Sequence, residues 1–354
     1  MTTTQRKAGV TLTLAMATHT DYYGAEATLK NLLIDHAAVM PVSELLVLDN
    51  TPRESKHAKE LEQYAKHLRN CRYVPYTTRV GTSVRDELFR LARNDFVLVM
   101  DSHIHFDPGV LARLQSYLSQ HRDSLDLYQG PLVADNLTSL STHFDPVWGA
   151  QMFGKWGFDE RGAKADNEPF EIPSQGLGVF GCFRKAWLGF NPLFRGFGGE
   201  EGYIHEKFRQ AGRKIWCLPF LRWHHRWGRP DSTRYPNKTE DRLRNYVLGR
   251  TELGQPLDDV VKHFEEYLKP EAVQKIVHAA VEEWRAHTAE SSPNSAVVTP
   301  EQMLADAGVL ARTLYLMPPQ ALDNALSRLK EDASEVFYAL VVYQLGKEGQ
   351  IDAR

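Results

Sequence analysis

Asp101, Ser102 and His103 follow directly on Phe96–Met100, a Phe-Val-Leu-Val-Met run that reads as a buried strand. A carboxylate and an imidazole one residue apart at a strand end can both turn toward one divalent cation. A cation bridging a pyrophosphate neutralises the charge that builds on a departing nucleoside diphosphate. Open α/β sheets bind ligands beyond the carboxyl ends of their strands, which is where this triplet falls. A plain strand-to-turn boundary would use the same residue types, so the triplet alone does not decide.

Elements around it must do the positioning. Residues 10–16 alternate and are β-rich, 44–48 and 73–76 are short apolar runs, and 126–133 reads as a further strand. Between them lie helical patterns at 25–36, 55–68, 82–93 and 108–118. Such alternation predicts a mostly parallel sheet covered by helices, an α/β domain. Residues 136–175 are rich in Gly, Pro, Asp and Trp without a period and read as a functional loop or irregular insert. Pattern returns at 176–183, in a helix at 201–211 and in a strand at 214–218. From 241 onward the reading is helical: 241–249, 256–268, 270–285, then 300–315, 319–331 and 333–346, with a linker at about 288–298. Thr299-Pro300-Glu301-Gln302 is a capping sequence that restarts a helix after it.

The 354 residues are 42% hydrophobic and 25% charged, with a net charge of −3, so a polyanion partner would need a local basic patch. No apolar run reaches the roughly 18 residues of a membrane span, and the polar start lacks a signal-peptide pattern. Cys71, Cys182 and Cys217 are few, odd in number and widely spaced, as for reduced thiols. A cytoplasmic protein is expected.

Several segments together resemble the catalytic domain of the polypeptide N-acetylgalactosaminyltransferases. Val97–Leu111 is similar to that family's metal-binding strand, whose Asp-Ser-His replaces the commoner Asp-x-Asp. Val84–Leu88 resembles its arginine-containing helix start, and Gly176–Arg184 its apolar floor strand. Phe197-Gly198-Gly199-Glu200-Glu201 resembles its Trp-Gly-Gly-Glu-Asn acceptor-side motif. The correspondence runs on through Gly212 and Pro219 to His225, matching a third metal ligand. The order and spacing agree over about residues 10–230. Glu201 stands for an Asn of the family, and Gly202-Tyr203 for Leu-Glu. No lectin domain, signal anchor or disulfide framework is expected, so the broader GT-A set, including bacterial and phage enzymes, is the better comparison.

The resemblance implies an N-terminal GT-A (Rossmann-like) domain, about 1–240, with an all-helical C-terminal extension, 241–354. It implies transfer of a sugar from a nucleotide diphosphate donor, UDP-linked, to an acceptor hydroxyl. Asp101, His103 and His225 would hold the metal, and this mixed N/O set suits Mn²⁺. His224 is the neighbouring rival of His225, while His105 reads as a loop or packing residue. Thr18, Asp49, Arg85 and Ser102 fall where such a fold meets the donor. Asp49 also fits a plain turn, and Arg85 a surface ion pair. Glu200 and Glu201 open a helix, where its dipole favours carboxylates. In inverting relatives an acidic residue here serves as general base, and Glu201 is the better placed of the two. Retaining relatives carry an amide at that position, so the stereochemical outcome stays open.

Two features face the acceptor. Trp148 and Trp156 lie among glycines, fit either to stack on a sugar or to pack the insert. Residues 222–250 hold many arginines, Arg226 and Arg229 among them, that could serve the donor diphosphate or a nucleic-acid backbone. The acceptor is thus a saccharide, a protein or a hydroxymethylated pyrimidine in DNA. A non-catalytic sugar-nucleotide-binding or carbohydrate-binding protein on the same scaffold is the alternative of another class. The C-terminal helices could serve oligomerisation or acceptor docking.

Overall fold

In a computed structural model, residues 9–78, 80–228, 237–291 and scattered positions between 322 and 342 are described. Contacts divide the chain into two compact units, Met1–Trp284 and Arg285–Arg354.

The first unit opens with β1 (Leu12–Thr18), α1 (Tyr22–Asp35), β2 (Ser43–Asp49), α2 (Lys56–Lys66) and β3 (Cys71–Pro75). α3 (Arg85–Leu91) leads into β4 (Phe96–Asp101), followed by the short β5 (Ile104–Phe106) and α4 (Val110–Gln120). β4 is buried until its last residue, and β1 almost throughout, so their apolar runs are those of strands covered on both faces. β3, β2, β1 and β4 pair in parallel, bringing Thr18 opposite Asp49 and Ala17 opposite Asp101. Three strand ends therefore meet at one edge of the sheet.

The run expected as one strand at 126–133 is two, β6 (Leu127–Gln129) and β7 (Leu132–Val133), which join different sheets. Gly130 separates them, and a Cβ there would lie 1.8 Å from the Leu221 carbonyl oxygen. The break is forced by close backbone approach.

The segment expected to be aperiodic contains β8 (Leu140–Ser141) and a hairpin of β9 (His143–Gly149) and β10 (Met152–Gly157). Most of the hairpin is half-buried or exposed, so burial writes no alternation into its sequence. β11 (Phe170–Glu171) and β12 (Val179–Phe183) follow, and β12 lies antiparallel to β4. After α5 (Glu200–Gln210) come β13 (Ile215–Cys217) and β14 (Trp223–His225). The main sheet has eight strands in the order β11-β13-β6-β12-β4-β1-β2-β3, and a smaller one runs β5-β14-β7-β8.

Three helices, α6 (Thr239–Glu252), α7 (Asp258–Phe264) and α8 (Pro270–Ser291), complete the described order. α6 packs on α5 and α7. Its Leu243, Val247 and Leu248 are fully buried. α8 runs through the first residues of the segment expected as a linker. In the second unit the described positions from Leu322 to Val342 are helical, with Leu322 and Val341 buried. The helix expected at 300–315 lies outside the described residues. No helix among those described is long and apolar enough to cross a membrane.

Candidate metal centre and carboxylate pair

β14 pairs antiparallel with β5, setting His225 opposite Ile104 and His224 opposite His105. Strand alternation then sends the two adjacent histidines to opposite faces. His224 Nε2 meets Asp107 Oδ1 at 2.6 Å, whereas His225 Nε2 comes to 3.8 Å from Asp101 Oδ2. His103 Nε2 lies 3.9 Å from the same oxygen. Asp101, His103 and His225 thus converge, one ligand atom from each lying within 4.8 Å of the others. His105 is exposed and has no part in the group.

These residues fit a divalent cation. Two imidazole nitrogens and one carboxylate oxygen form a mixed donor set, and an ion about 2.0–2.2 Å from each fits among atoms so spaced. His103 Nδ1 donates to Asp21 Oδ2 at 2.8 Å, which leaves Nε2 as the ligating nitrogen. His225 is buried, and its ring lies 4.0 Å from that of Trp227, which is 48% exposed. Asp101 N–H donates to the Gly178 carbonyl at 2.8 Å. A Cβ on Gly178 would come 3.4 Å from Asp101 Oδ2 and 2.7 Å from the Trp223 ring, so glycine keeps the carboxylate uncovered.

Arg85 joins this group to a second one. Its Nη2 donates to Asp101 Oδ1 at 2.7 Å, and its Nη1 lies 3.9 Å from Glu200 Oε1. Burial pushes Asp101 up, but Arg85, then His225 and His103, outweigh it and hold the carboxyl well below the ordinary range. Glu200 and Glu201 are the first residues of α5, after Gly198 and Gly199 at φ +101° and +94°. Both are buried, and one oxygen of each, Oε2, has no hydrogen-bond partner. Burial, with the neighbouring Glu200, pushes Glu201 up to about 8, against the counter-pull of Arg85 and Arg242.

The loops bearing Arg85 and Glu200 are fastened to each other. Gly81 and Gly196 form a parallel bridge, Thr82 N–H donates to the Gly196 carbonyl at 2.9 Å, and Gly81 N–H donates to Asn50 Oδ1 at 3.3 Å. Asn50, at the end of β2, thereby fixes both loops against the sheet edge.

Of the other residues singled out by sequence, Thr18 is buried at that edge with its Oγ1 unpartnered. Asp49 uses Oδ1 to accept from Thr51 N–H and Oδ2 to accept from Tyr73 O–H, so its carboxylate builds the turn. Ser102 turns its hydroxyl to Asp21 at 3.0 Å. Trp148 stacks on His263 with ring centroids 4.1 Å apart, and meets Tyr246 and Phe264 edge-on. Trp156 packs against Phe144 and over Gly176. Arg226 is exposed beyond β14, and Arg229 lies outside the described residues. The arginines of α6 face inward: Arg242 donates to Gln151, Arg244 pairs with Glu283, and Arg250 with Asp259.

Sequence reasoning did not single out Asp21 or Tyr246, and read Arg242 only as part of the basic stretch at 222–250. Asp21 was legible as a helix-capping residue, because its side chain accepts from Gly24 N–H ahead of α1. Nothing local marks Tyr246, and only the tertiary fold brings α6 against the Gly198-Gly199 turn before Glu200.

Comparison with known proteins agrees with this architecture. Residues 21–187 match the model of glycosyl transferase family 2. The crystal structure of GalNAc-T7 with UDP, GalNAc and Mn²⁺ superposes with a TM-score of 0.57 at 16% identity, over 81% of this chain and 58% of that one. The S. aureus TarS 1–349 structure gives 0.44 at 12% identity, and its complex with UDP-GlcNAc 0.43 at 15%, each over 97% of this chain and 93% of the other. No curated protein matches the sequence. The fold is GT-A, and the likeness to the polypeptide N-acetylgalactosaminyltransferases noted in the sequence extends to three dimensions.

Proposed function

We propose that this chain is a glycosyltransferase that uses a divalent cation, Mn²⁺ by its donor set, to move a sugar from a UDP-linked donor to an acceptor hydroxyl. The observation that carries the reading is the convergence of Asp101, His103 and His225 at the carboxyl edge of the sheet, with Arg85 linking Asp101 to Glu200. When bound, the cation supplies positive charge to the diphosphate that leaves.

The chain's own residues supply the rest. Asp101, His103 and His225 fix where the diphosphate lies, and Thr18 lines the same sheet edge. Asp49 holds the turn that forms the nucleotide end, through Thr51 and Tyr73. Arg85 keeps Asp101 ionised and ready to ligate. Glu201 takes the proton of the acceptor hydroxyl as that oxygen attacks the anomeric carbon and the carbon–oxygen bond to the diphosphate breaks. This is an inverting displacement. Glu200, paired with Arg85, holds negative charge beside Glu201 and so raises its basicity. Arg226 flanks the metal edge. The helices beyond residue 240 contribute through α6, whose Arg242 and Tyr246 lie against the Gly198-Gly199 turn that leads into Glu200 and Glu201.

The test is nucleoside-diphosphate release from a panel of sugar nucleotides, with Mn²⁺ and with chelator, beside Asp101→Ala. Release from one donor, dependent on Mn²⁺ and lost in the variant, is expected. Release that persists in chelator or in Asp101→Ala would remove the metal from the reading.

A further inference from the structure

We propose that Asp21 is a positioning residue of the metal centre, and that Gly24 is glycine because Asp21 must lie against it. The inference rests on the metal reading given above. Asp21 caps α1, is 6% exposed, and spends its carboxylate on three donors: Gly24 N–H at 3.2 Å, Ser102 Oγ at 3.0 Å and His103 Nδ1 at 2.8 Å. A carboxylate accepts only, so Nδ1 carries the proton and Nε2 presents its lone pair toward Asp101 and His225. A carboxylate behind a ligating imidazole fixes the tautomer, aims the ring and raises its basicity.

The same helix holds the backbone on either side of His103. Thr28 Oγ1 lies 3.0 Å from the Ser102 carbonyl and 2.7 Å from the Ile104 carbonyl, and Ile104 N–H donates back to it at 3.0 Å. Asn31 accepts from Phe106 N–H at 2.9 Å and donates to the Phe106 carbonyl at 3.2 Å. Gly24, Thr28 and Asn31 are spaced for one helix face. α1 therefore presents a buried polar seam that sets residues 102–106, and Asp21 is the member of that seam that reaches a ligand.

Gly24 has no need of a left-handed backbone, and a helix ordinarily prefers alanine to glycine. A Cβ at this position would lie 2.4 Å from Asp21 Oδ2 and 2.7 Å from its Cγ. An added methyl would displace the carboxylate from His103 and, because the same carboxylate caps α1, disturb the helix start as well.

The experiment is Mn²⁺ titration by calorimetry or electron paramagnetic resonance, in the presence of UDP, for wild type, Asp21→Ser and Gly24→Ala. Serine keeps the helix cap and removes the carboxylate, so Asp21→Ser should bind Mn²⁺ about 10–100-fold more weakly. Gly24→Ala, which displaces the carboxylate instead of removing it, should also weaken Mn²⁺ binding, and adding it to Asp21→Ser should weaken binding no further, a non-additivity that two merely structural changes would not give. Should Asp21→Ser fail to fold, Gly24→Ala still decides. Affinity within twofold of wild type in the variants would overturn the role of Asp21 alone. A wild type that takes up no Mn²⁺ with UDP would overturn the metal centre on which that role depends.

Discussion

Arg85 donates from Nη2 to Asp101 Oδ1 across 2.7 Å, and both side chains are largely buried. A proposed metal ligand is therefore already neutralised by a fixed cation of the protein. The arrangement keeps Asp101 ionised despite its burial, at the cost of a positive charge close to where a second one would sit. Glu200, 3.9 Å from Nη1, offsets that charge from the other side.

Removing the guanidinium should expose this balance. Arg85→Met leaves Asp101 buried and unpaired, a change that costs about 3–5 kcal/mol for a broken buried pair. Mn²⁺ with UDP would supply the missing charge, so the variant should regain far more stability on adding them than wild type does. Denaturant unfolding with and without Mn²⁺–UDP measures both terms. Equal loss under the two conditions would mean that Arg85 and the cation do not share Asp101. The depressed Asp101 also fixes a pH sign. Its pairing stabilises the fold above the ordinary carboxylate range, and that stability is lost as pH falls through and below it.

Much of this site was readable in the chain. Asp101 ends a run so apolar that only a buried strand accounts for it, and the Gly-Gly-Glu-Glu segment announces a helix start after close backbone approach. The choice between His224 and His225 was not readable, because it depends on which face of β14 meets β5, and both strands are only three residues long. Asp21 escaped because a capping aspartate looks the same whether or not it also reaches a histidine. The β9–β10 hairpin escaped because it is half-exposed and because Trp148 packs on α6 and α7, about 100 residues away, rather than on an alternating partner face.

That packing gives Trp148 a testable role. Its ring stacks on His263 at 4.1 Å and meets Tyr246 at 5.1 Å, while Tyr246 Oη accepts from Phe153 N–H at 2.7 Å. Trp148→Ala should cost roughly 3 kcal/mol, in the range of large aromatic truncations. Tyr246→Phe should cost about 1–2 kcal/mol through the orphaned Phe153 N–H. Chemical denaturation reads both. A Trp148→Ala protein as stable as wild type would show that this packing does not hold the hairpin in place.

Gly81 should be intolerant of any side chain. Its φ is +142°, and a Cβ would meet the Gly196 carbonyl oxygen at 2.5 Å, backbone against backbone. Gly81→Ala must part the loop of Arg85 from the loop of Glu200. Misplacement on the scale of 1 Å costs about 100-fold in rate, so nucleoside-diphosphate release should fall by that order. Mn²⁺ affinity should change less than turnover, since none of the three proposed ligands lies on either loop and only Arg85 reaches one of them. Gly109→Ala, also at positive φ but with open space around it, serves as the control for strain alone. Wild-type turnover in Gly81→Ala would show that the bridge does not position the site.

Glu201 carries the clearest dependence on pH. Burial and the adjacent Glu200 push its carboxyl from 4.5 to about 8. Between those values the folded protein holds a proton that the unfolded chain has released, so this group makes stability fall as pH rises through the window. A base must be ionised to act, so sugar transfer should climb over the same range and level off above about 8. Glu201→Gln should abolish the climb, lower transfer by about 10²–10⁴-fold, and flatten the stability slope. Rate profiles from pH 5 to 9 beside urea unfolding at the same pH values test both halves in one variant. A Glu201→Gln enzyme that keeps the rising limb would assign the base elsewhere. Product of retained anomeric configuration, read by NMR, would remove the need for a base at this position.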